Sequence, residues 1–499
     1  MVGMPGSFDR TGALSARVTS SQSARFDAAS GATQPTVVAR PDVPIVCVQG
    51  LGYVGAAVAI AVASARQVGG TPAYNVVAVD LPNEQGICRA SALNDGRFPF
   101  ATTDENLAEK MREVHAAGNL IACTDPAAFG TADVVIVDVP LDVRLMDEEP
   151  SLDMDVFQSA IRSIGRHMRS DAVVIVETTV PPGATSHVVA PILREELSRR
   201  GLPIGQFRLA HCYERIMPGK KYFDSIVNMP RVYAGIDAAS AEACETFLRT
   251  IINVERCPLV RLSSTTASEL AKVLENSFRA VTIAMMDEWG SFAEQVGVDL
   301  IEVVECIRSR PTHSSMRTPG FGVGGYCLTK DPLMGKLAAR EIFGFEHSFP
   351  FAERAIEINR RMPHRVLERM KSLLHGNLKG RRILLLGVSY RQDVGDTRHS
   401  PSETFYEAAV REGAVVLPHD PLVEFWREQS IRVTSVVPQA AGLDAVLLAV
   451  AHDVYRTFDF ERWLGSSRPL FFDGFDVLTA SQRSRLKALG CRVESIGRG

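Results

Sequence analysis

Short apolar runs, rich in β-branched residues and closed by polar or glycine residues, recur along the chain and alternate with stretches of helical spacing. Pro44-Ile-Val-Cys-Val48 and Asn75-Val-Val-Ala-Val-Asp80 are the first two, followed by Ala132-Asp-Val-Val-Ile-Val-Asp138-Val-Pro140 and Asp171-Ala-Val-Val-Ile-Val176. After a polar stretch around Gly376 to Gly380 the pattern restarts in Arg382-Ile-Leu-Leu-Leu-Gly387, Ala414-Val-Val-Leu417 and Asp444-Ala-Val-Leu-Leu-Ala-Val450. Near-continuous apolar runs predict strands buried on both faces, as in parallel sheets. Their alternation with helices predicts an α/β fold with two doubly wound domains. Between them, Leu270, Val273, Leu274, Phe278 and Val281 recur at helical spacing, after a capping-box signature at Thr266-Ala-Ser-Glu269 and before a C-cap candidate at Gly297. That predicts a central helix of about 30 residues, or ~45 Å, long enough to be an inter-domain connector or a dimer spine.

The pattern divides the chain into a disordered tail (1–40), a first α/β domain (41–260), a central helical and dimerisation domain (261–375) and a second α/β domain (376–499). The tail is rich in Ser, Ala, Gly, Thr and Arg and has no apolar core for a secretory signal; Asp9 and Asp27 count against an organelle transit peptide. With 499 residues, 46% of them hydrophobic and 22% charged, the chain has enough apolar material for several cores and is not disordered as a whole. A net charge of −4, from 54 basic and 58 acidic residues, gives no support to a general nucleic-acid binder. No apolar run approaches the length of a membrane span. The nine cysteines are scattered and never spaced C-x-x-C, which argues against a disulfide scaffold and a zinc site and for a reducing, cytoplasmic compartment. No metal is expected.

Chemistry enters at Gly50-Leu-Gly52-Tyr-Val-Gly55, which follows the first strand and opens an Ala/Val-rich helix. The first glycine permits a tight turn, the second lets a pyrophosphate approach the backbone, and the third lets helix and strand pack closely. The helix N-terminus offers N–H groups to phosphate. Asp80, 25 residues past Gly55 at the end of the next strand, is placed for a ribose 2′-hydroxyl and favours NAD over NADP. These features make the first domain Rossmann-like. Ligands in such sheets gather at the carboxyl ends of strands, so Pro140 and Thr179 point toward the cofactor cleft. On its own, Thr179 reads equally as a hydroxyl satisfying local backbone.

On the central helix, Lys272 and Asn276 lie four apart on one face, with Arg279 near them; an ammonium beside a carboxamide holds a substrate hydroxyl, although a solvated face explains the pair alone. The loop Phe321-Gly-Val-Gly-Gly-Tyr-Cys327-Leu-Thr-Lys330-Asp331-Pro332 decides between them. Its glycines let backbone pass close to a ligand. Cys327 beside Lys330 is expected to favour a thiolate able to add to an aldehyde carbon, with Asp331 as a nearby base. The second α/β domain lacks G-x-G-x-x-G, so another phosphorylated ligand fits better than a second dinucleotide. Arg391 and Arg398 are its phosphate candidates, or else solvated surface arginines; His452 reads as structural.

Together, Gly50–Gly55, Thr179-Val-Pro-Pro-Gly183, Lys272-Val-Leu-Glu-Asn276, Phe321 to Pro332 and Asp396-Thr-Arg398-His-Ser400-Pro401 resemble the UDP-glucose/GDP-mannose dehydrogenase family of nucleotide-sugar 6-dehydrogenases, nearest its UDP-N-acetylhexosamine branch. The resemblance spans Pro44 to Phe475. It implies an NAD domain, a dimerising central helix and a C-terminal UDP-binding domain. It implies a cytoplasmic homodimer that oxidises the C6 alcohol of a UDP-sugar by four electrons to the uronate, for surface polysaccharide synthesis. UDP-N-acetylhexosamine (GlcNAc or ManNAc) is the first-choice substrate and UDP-glucose the alternative. On this reading Gly50, Gly52, Tyr53, Val54, Gly55, Asp80, Pro140 and Thr179 bind NAD. Glu214, Arg215, Lys272, Asn276, Arg279, Phe321, Gly322, Gly324, Arg391 and Arg398 bind the UDP-sugar. Cys327, Lys272, Asn276, Asp331 and Thr179 are catalytic: Lys272 and Asn276 hold the C6 oxygen, Asp331 helps take its proton, Cys327 traps the aldehyde as a thiohemiacetal that becomes a thioester, and water held near Thr179 and Asp331 hydrolyses it. The chain departs from the family at Tyr213, where Pro is usual, and at Pro218, where glucose enzymes carry a second acid. It departs again at Thr282 for Asn, Thr329 for Pro and Arg391 for Lys. A two-electron hydroxyacid dehydrogenase would need neither the Cys loop nor the second domain, and a silent UDP-sugar-binding protein would not need Lys272, Asn276, Cys327 and Asp331.

Overall fold

A computed structural model of the chain describes residues 42–145 and 149–499. The tail expected to be disordered, residues 1–40, lies outside the described residues. Strands β1 (Ile45–Gln49), β2 (Asn75–Val79), β3 (Leu120–Cys123), β4 (Val134–Val137), β5 (Val173–Val176), β6 (Arg208–His211), β7 (Arg231–Gly235) and β8 (Leu259–Arg261) form one sheet. Its order is β8-β7-β6-β5-β4-β1-β2-β3, parallel throughout except between β6 and β7. The six strands from β3 to β6 carry the doubly wound order, whose reversal between β1 and β4 leaves a crevice at their carboxyl ends. Helix α1 (Tyr53–Ser64) is apolar all round and buried from Gly55 to Ala63, as expected for a helix enclosed by sheet and neighbouring helices.

Helix α2 (Thr265–Val296) has 32 residues, about 48 Å at 1.5 Å per residue. Its cap is Ser264, whose hydroxyl accepts from Ala267 N; Gly297, at φ 75°, ends it. The capping box read at Thr266–Glu269 does not form, because the helix starts earlier and Glu269 bonds to the first domain instead. Helix α3 (Pro350–Leu373) packs along α2, with Asn359 Nδ2 donating to Ala280 O (3.1 Å) and Arg365 Nη1 to Asp287 O (2.8 Å).

Strands β9 (Arg382–Leu386), β10 (Val415–His419), β11 (Ala445–Leu448), β12 (Leu470–Asp473) and β13 (Val493–Ser495) form a second, fully parallel sheet in the order β10-β9-β11-β12-β13. Its switch point lies between β9 and β11, and helix α4 (Pro401–Arg411) follows the loop after β9. Both sheets have an apolar core on each face.

Candidate active site

The loop after β1 is shaped by what surrounds each glycine. Gly50 has φ 94°, and a Cβ there would lie 2.6 Å from Asp138 O; at Gly55 it would lie 1.9 Å from Gly50 O, so helix and strand touch only through glycine. At Gly52, by contrast, no described atom lies within 4 Å of the Cβ position. Gly52 caps α1 without a side-chain acceptor, so the first-turn N–H groups face this open space. That is a cradle of the right chemistry for a pyrophosphate. Asp80 sits at the end of β2, where its carboxylate accepts from Leu81 N (2.8 Å) and pairs with Arg89 (3.3 Å). Tyr53 stacks on Phe100 (4.0 Å between centroids), and Val54 is half-buried against the core. Pro140 is exposed on the loop after β4. After β5, the Thr178 hydroxyl donates to Val137 O and Val139 O (3.0 and 2.8 Å), and the half-buried Thr179 hydroxyl has no hydrogen-bond partner among the described residues. The residues fit a dinucleotide.

Helix α2 brings four sequence-predicted residues to one point. Asn276 Nδ2 donates to Asp331 Oδ2 (2.7 Å), and Lys330 Nζ pairs with Asp331 Oδ1 (2.9 Å). One turn earlier, Lys272 Nζ donates to Glu214 O (2.9 Å) and pairs with Glu214 Oε1 (3.2 Å). Lys272, Asn276, Lys330 and Asp331 are all buried. Burial works against the Lys272 charge, but Glu214, Cys327 and Asp331 outweigh it and hold the ammonium above its ordinary pKa. Cys327 is within the same field. Burial first, and the Asp331 carboxylate next, push its thiol up to about 12, while Lys272 and Lys330 pull it down. The thiolate expected from Lys330 is therefore not the resting form, because Lys330 is committed to Asp331 and to the Tyr326 ring, 4.4 Å from its centroid.

The loop glycines differ from the sequence reading in their cause. A Cβ on Gly322 would lie 2.6 Å from Pro401, on Gly324 2.7 Å from His399 O, and on Gly325 2.7 Å from the Tyr390 ring. What approaches them in this structure is the second α/β domain, with no ligand needed to account for their size. Phe321, expected to touch substrate, is fully buried against Phe405 and Phe475, so its ring anchors the loop and only its backbone is left to face a ligand. Arg398 is bound through Nε and Nη2 to Asp396 (3.0 and 2.7 Å), and its guanidinium lies over Tyr53 (5.2 Å) and Tyr326 (5.7 Å). It therefore joins the two α/β domains as well as lining the cleft. Arg215 uses four hydrogen bonds within the protein, to Glu275, Tyr213 and Pro230. Arg279 and Arg391 are exposed as residues and have no ion pair among the described residues; partial loss of solvent around the Arg279 guanidinium first, then the like charges of Arg317 and Arg391, lower its pKa. Such a group of unpaired guanidiniums suits a diphosphate.

Sequence reasoning missed three groups. Arg317 joins the arginine group from the segment before the Cys loop. Glu269 is fully buried on α2, and its carboxylate accepts from Gly183 N (2.6 Å) and Thr185 N (2.7 Å), tying the Thr179 loop to the helix that carries Lys272. Glu177 and Arg231 form a buried pair (2.8 Å) behind Glu214. Beside them burial, then Glu177 and Glu214, hold Asp138 well above the usual carboxylate range. Only a partner far along the chain could have revealed these roles. Among the described residues no group of three His, Cys, Asp or Glu side chains could hold a metal ion, and no helix is long and apolar enough to cross a membrane.

A Rossmann crevice opposite a second doubly wound domain, with a lysine, an amide, a thiol and a carboxylate between them, defines a two-nucleotide enzyme. Residues 45–252, 266–361 and 384–480 match, in order, the NAD binding, central and UDP binding domains of the UDP-glucose/GDP-mannose dehydrogenase family. The chain is similar to a UDP-N-acetyl-D-mannosamine dehydrogenase of Methanocaldococcus jannaschii (29% identical over 416 residues, 83% of this chain and 87% of that one). It is also similar to the enzyme of that name from Pyrococcus horikoshii (30% over 459 residues, 91% and 99%). A solved structure of a UDP-D-ManNAc dehydrogenase from Pyrococcus horikoshii superposes with TM-score 0.74 at 28% identity, covering 91% of this chain and 99% of that one. The chain belongs to the UDP-glucose/GDP-mannose dehydrogenase family, and is an NAD-dependent nucleotide-sugar dehydrogenase.

Proposed function

We propose that this protein oxidises the C6 alcohol of a UDP-N-acetylhexosamine to the uronate, in the cytoplasm, for surface polysaccharide synthesis. The three units at 41–260, 261–375 and 376–499 are taken as the NAD, central and UDP domains. The observation that carries the reading is the convergence of Lys272, Asn276, Cys327 and Asp331. The similarity to UDP-N-acetyl-D-mannosamine dehydrogenases supports the choice of sugar.

Gly50, Gly52, Tyr53, Val54, Gly55, Asp80, Pro140 and Thr179 would hold NAD, which accepts hydride, two molecules of it per sugar. Lys272 and Asn276 orient the C6 oxygen, and the charged Lys272 stabilises it as its proton leaves toward Asp331. Once C6 is an aldehyde, the Cys327 sulfur bonds to it and the thiol proton goes to the carbonyl oxygen, giving a neutral thiohemiacetal. That carbon again bears a C–H and an O–H, so a second two-electron oxidation yields the thioester. Water placed by Thr179 and Asp331 cleaves the thioester, restoring the thiol and releasing the carboxylate. In total one alcohol, one water and two NAD+ would give one carboxylate, two NADH and three protons. Glu214, Arg215, Arg279, Arg391, Arg398 and the backbone of Phe321, Gly322 and Gly324 would position the UDP-sugar.

The protein acts as a homodimer through α2. Leu270, Leu274, Phe278, Met285, Trp289, Phe292 and Val296 form an exposed stripe at helical spacing, each more than 40% exposed, and a second copy of the same helix is its natural cover. NADH absorbance over a panel of UDP-sugars tests the function. Two NADH per UDP-N-acetylhexosamine, with UDP-glucose much slower, is expected. One NADH with aldehyde accumulating would remove the thioester scheme.

A further inference from the structure

Tyr213 follows β6, and its ring is buried between two cations of the site. Lys272 Nζ lies 5.5 Å from the ring centroid and the Arg215 guanidinium carbon 5.3 Å. The hydroxyl is held as well: Arg215 Nη2 donates to it (3.0 Å), and it faces Glu275 Oε2 at 3.4 Å, the oxygen that also takes Arg215 Nε (3.2 Å) and Nη2 (2.9 Å). Two buried or half-buried cations would repel across an apolar side chain. An aromatic ring offers each of them its negative face, favours their charged forms and fixes their separation. Among the described residues Lys272 has no partner other than Glu214 at hydrogen-bond distance, so the ring is its second restraint.

We propose that Tyr213 is a positioning residue that sets Lys272 and Arg215 as one unit, its ring holding the ammonium that acts on the C6 oxygen and its hydroxyl holding the guanidinium on the sugar side. The inference rests on the role given to Lys272 above, and it assigns to the side chain at 213 an influence on both turnover and sugar affinity.

The test compares Tyr213→Leu, Tyr213→Phe and Lys272→Ala with the full-length parent. NADH formation is followed against pH, and the affinity for a UDP-N-acetylhexosamine is measured by calorimetry without NAD. In Tyr213→Leu the alkaline limb of kcat moves to lower pH by roughly one unit, since the charged ammonium loses its cation–π contact. In Tyr213→Phe the limb stays in place and the UDP-sugar affinity falls several-fold, because Arg215 loses its phenol partner. An unmoved limb in a folded Tyr213→Leu overturns the ring's role, and an unchanged affinity in Tyr213→Phe overturns the hydroxyl's. Should Tyr213→Leu fail to fold, Tyr213→Met, which fills the site without a ring, reads the alkaline limb in its place, and an unmoved limb there overturns the ring's role. Lys272→Ala separates the two levels: if it keeps four-electron turnover, the reading of the site fails; if it is inactive while both Tyr213 variants match the parent, only this inference fails.

Discussion

Glu269→Gln is the sharpest probe of how the NAD-binding domain is fixed to helix α2. Each oxygen of the Glu269 carboxylate takes one backbone N–H of the loop after Thr179, Gly183 N at 2.6 Å and Thr185 N at 2.7 Å. Glutamine has the same shape but turns one acceptor into a donor, so one N–H loses its partner and the other loses a charge-assisted bond. A buried unsatisfied N–H costs about 1–3 kcal/mol, so a loss of about 2–3 kcal/mol is expected near pH 5.5, where the parent carboxyl is protonated and still offers an oxygen to each N–H. Burial, opposed by those two N–H donors and the Thr185 side chain, raises the carboxyl from 4.5 to about 7. A carboxyl raised on folding contributes stability that is complete below its unfolded pKa and disappears as pH climbs through its folded value. Glutamine does not titrate, so the gap between parent and variant should be on the order of 2 kcal/mol wider at pH 5.5 than at pH 8. Urea unfolding followed by tryptophan fluorescence at both pH values reads this directly. A gap below about 0.5 kcal/mol at pH 5.5, or one that widens toward pH 8, would refute the account.

Other perturbations test the remaining parts. With no ligand bound, iodoacetamide labelling of Cys327, resolved by peptide mass spectrometry, should rise about tenfold per pH unit up to pH 10, since only the thiolate reacts and burial and Asp331 hold the thiol up; a plateau below pH 9 would contradict this. Asp80→Ser should weaken NAD binding roughly tenfold and, by releasing Arg89 from its ion pair, improve binding of NADP; unchanged affinities for both would misplace the ribose site. Phe278→Glu puts a charge in the exposed stripe of α2 and should turn a dimer into a monomer in light scattering, whereas an unaltered mass would put the interface elsewhere.

The first and second sheets were legible where a strand is buried on both faces. β1, β2, β4, β5, β9 and β11 are apolar at almost every position, a pattern that depends only on local composition. β7 was not, because it opens on Arg231, a charge that is buried only by virtue of Glu177, 54 positions earlier. β8 is a three-residue edge with two exposed positions, and has no pattern to find. The same divide runs through the site. The Cys327–Asp331 spacing and the Lys272–Asn276 pair are local and could be read directly. Glu269 looked like half of a capping box because its true partners lie 84 and 86 positions away. The loop glycines showed that a side chain is excluded there; only the fold reveals that Tyr390, His399 and Pro401 do the excluding.

A resting thiol near 12 looks at first like a poor nucleophile, yet the proposed chemistry favours it. A standing thiolate would be exposed to oxidants and alkylating agents between turnovers, and its charge would oppose loss of the C6 proton nearby. A thiol adds to an aldehyde without creating net charge, because its proton can end on the carbonyl oxygen that Lys272 and Asn276 would hold. Lys272 has the larger benefit from this arrangement: with the sulfur neutral, its positive charge is left to Glu214 and to the developing alkoxide. Burial first, and then the Asp331 carboxylate that binds Asn276 and Lys330, hold the thiol up and so make the nucleophile conditional on the electrophile. On this argument Asp331→Asn should lower the Cys327 pKa and speed its labelling at pH 8 while slowing NADH formation, an opposition that a merely structural Asp331 would not produce.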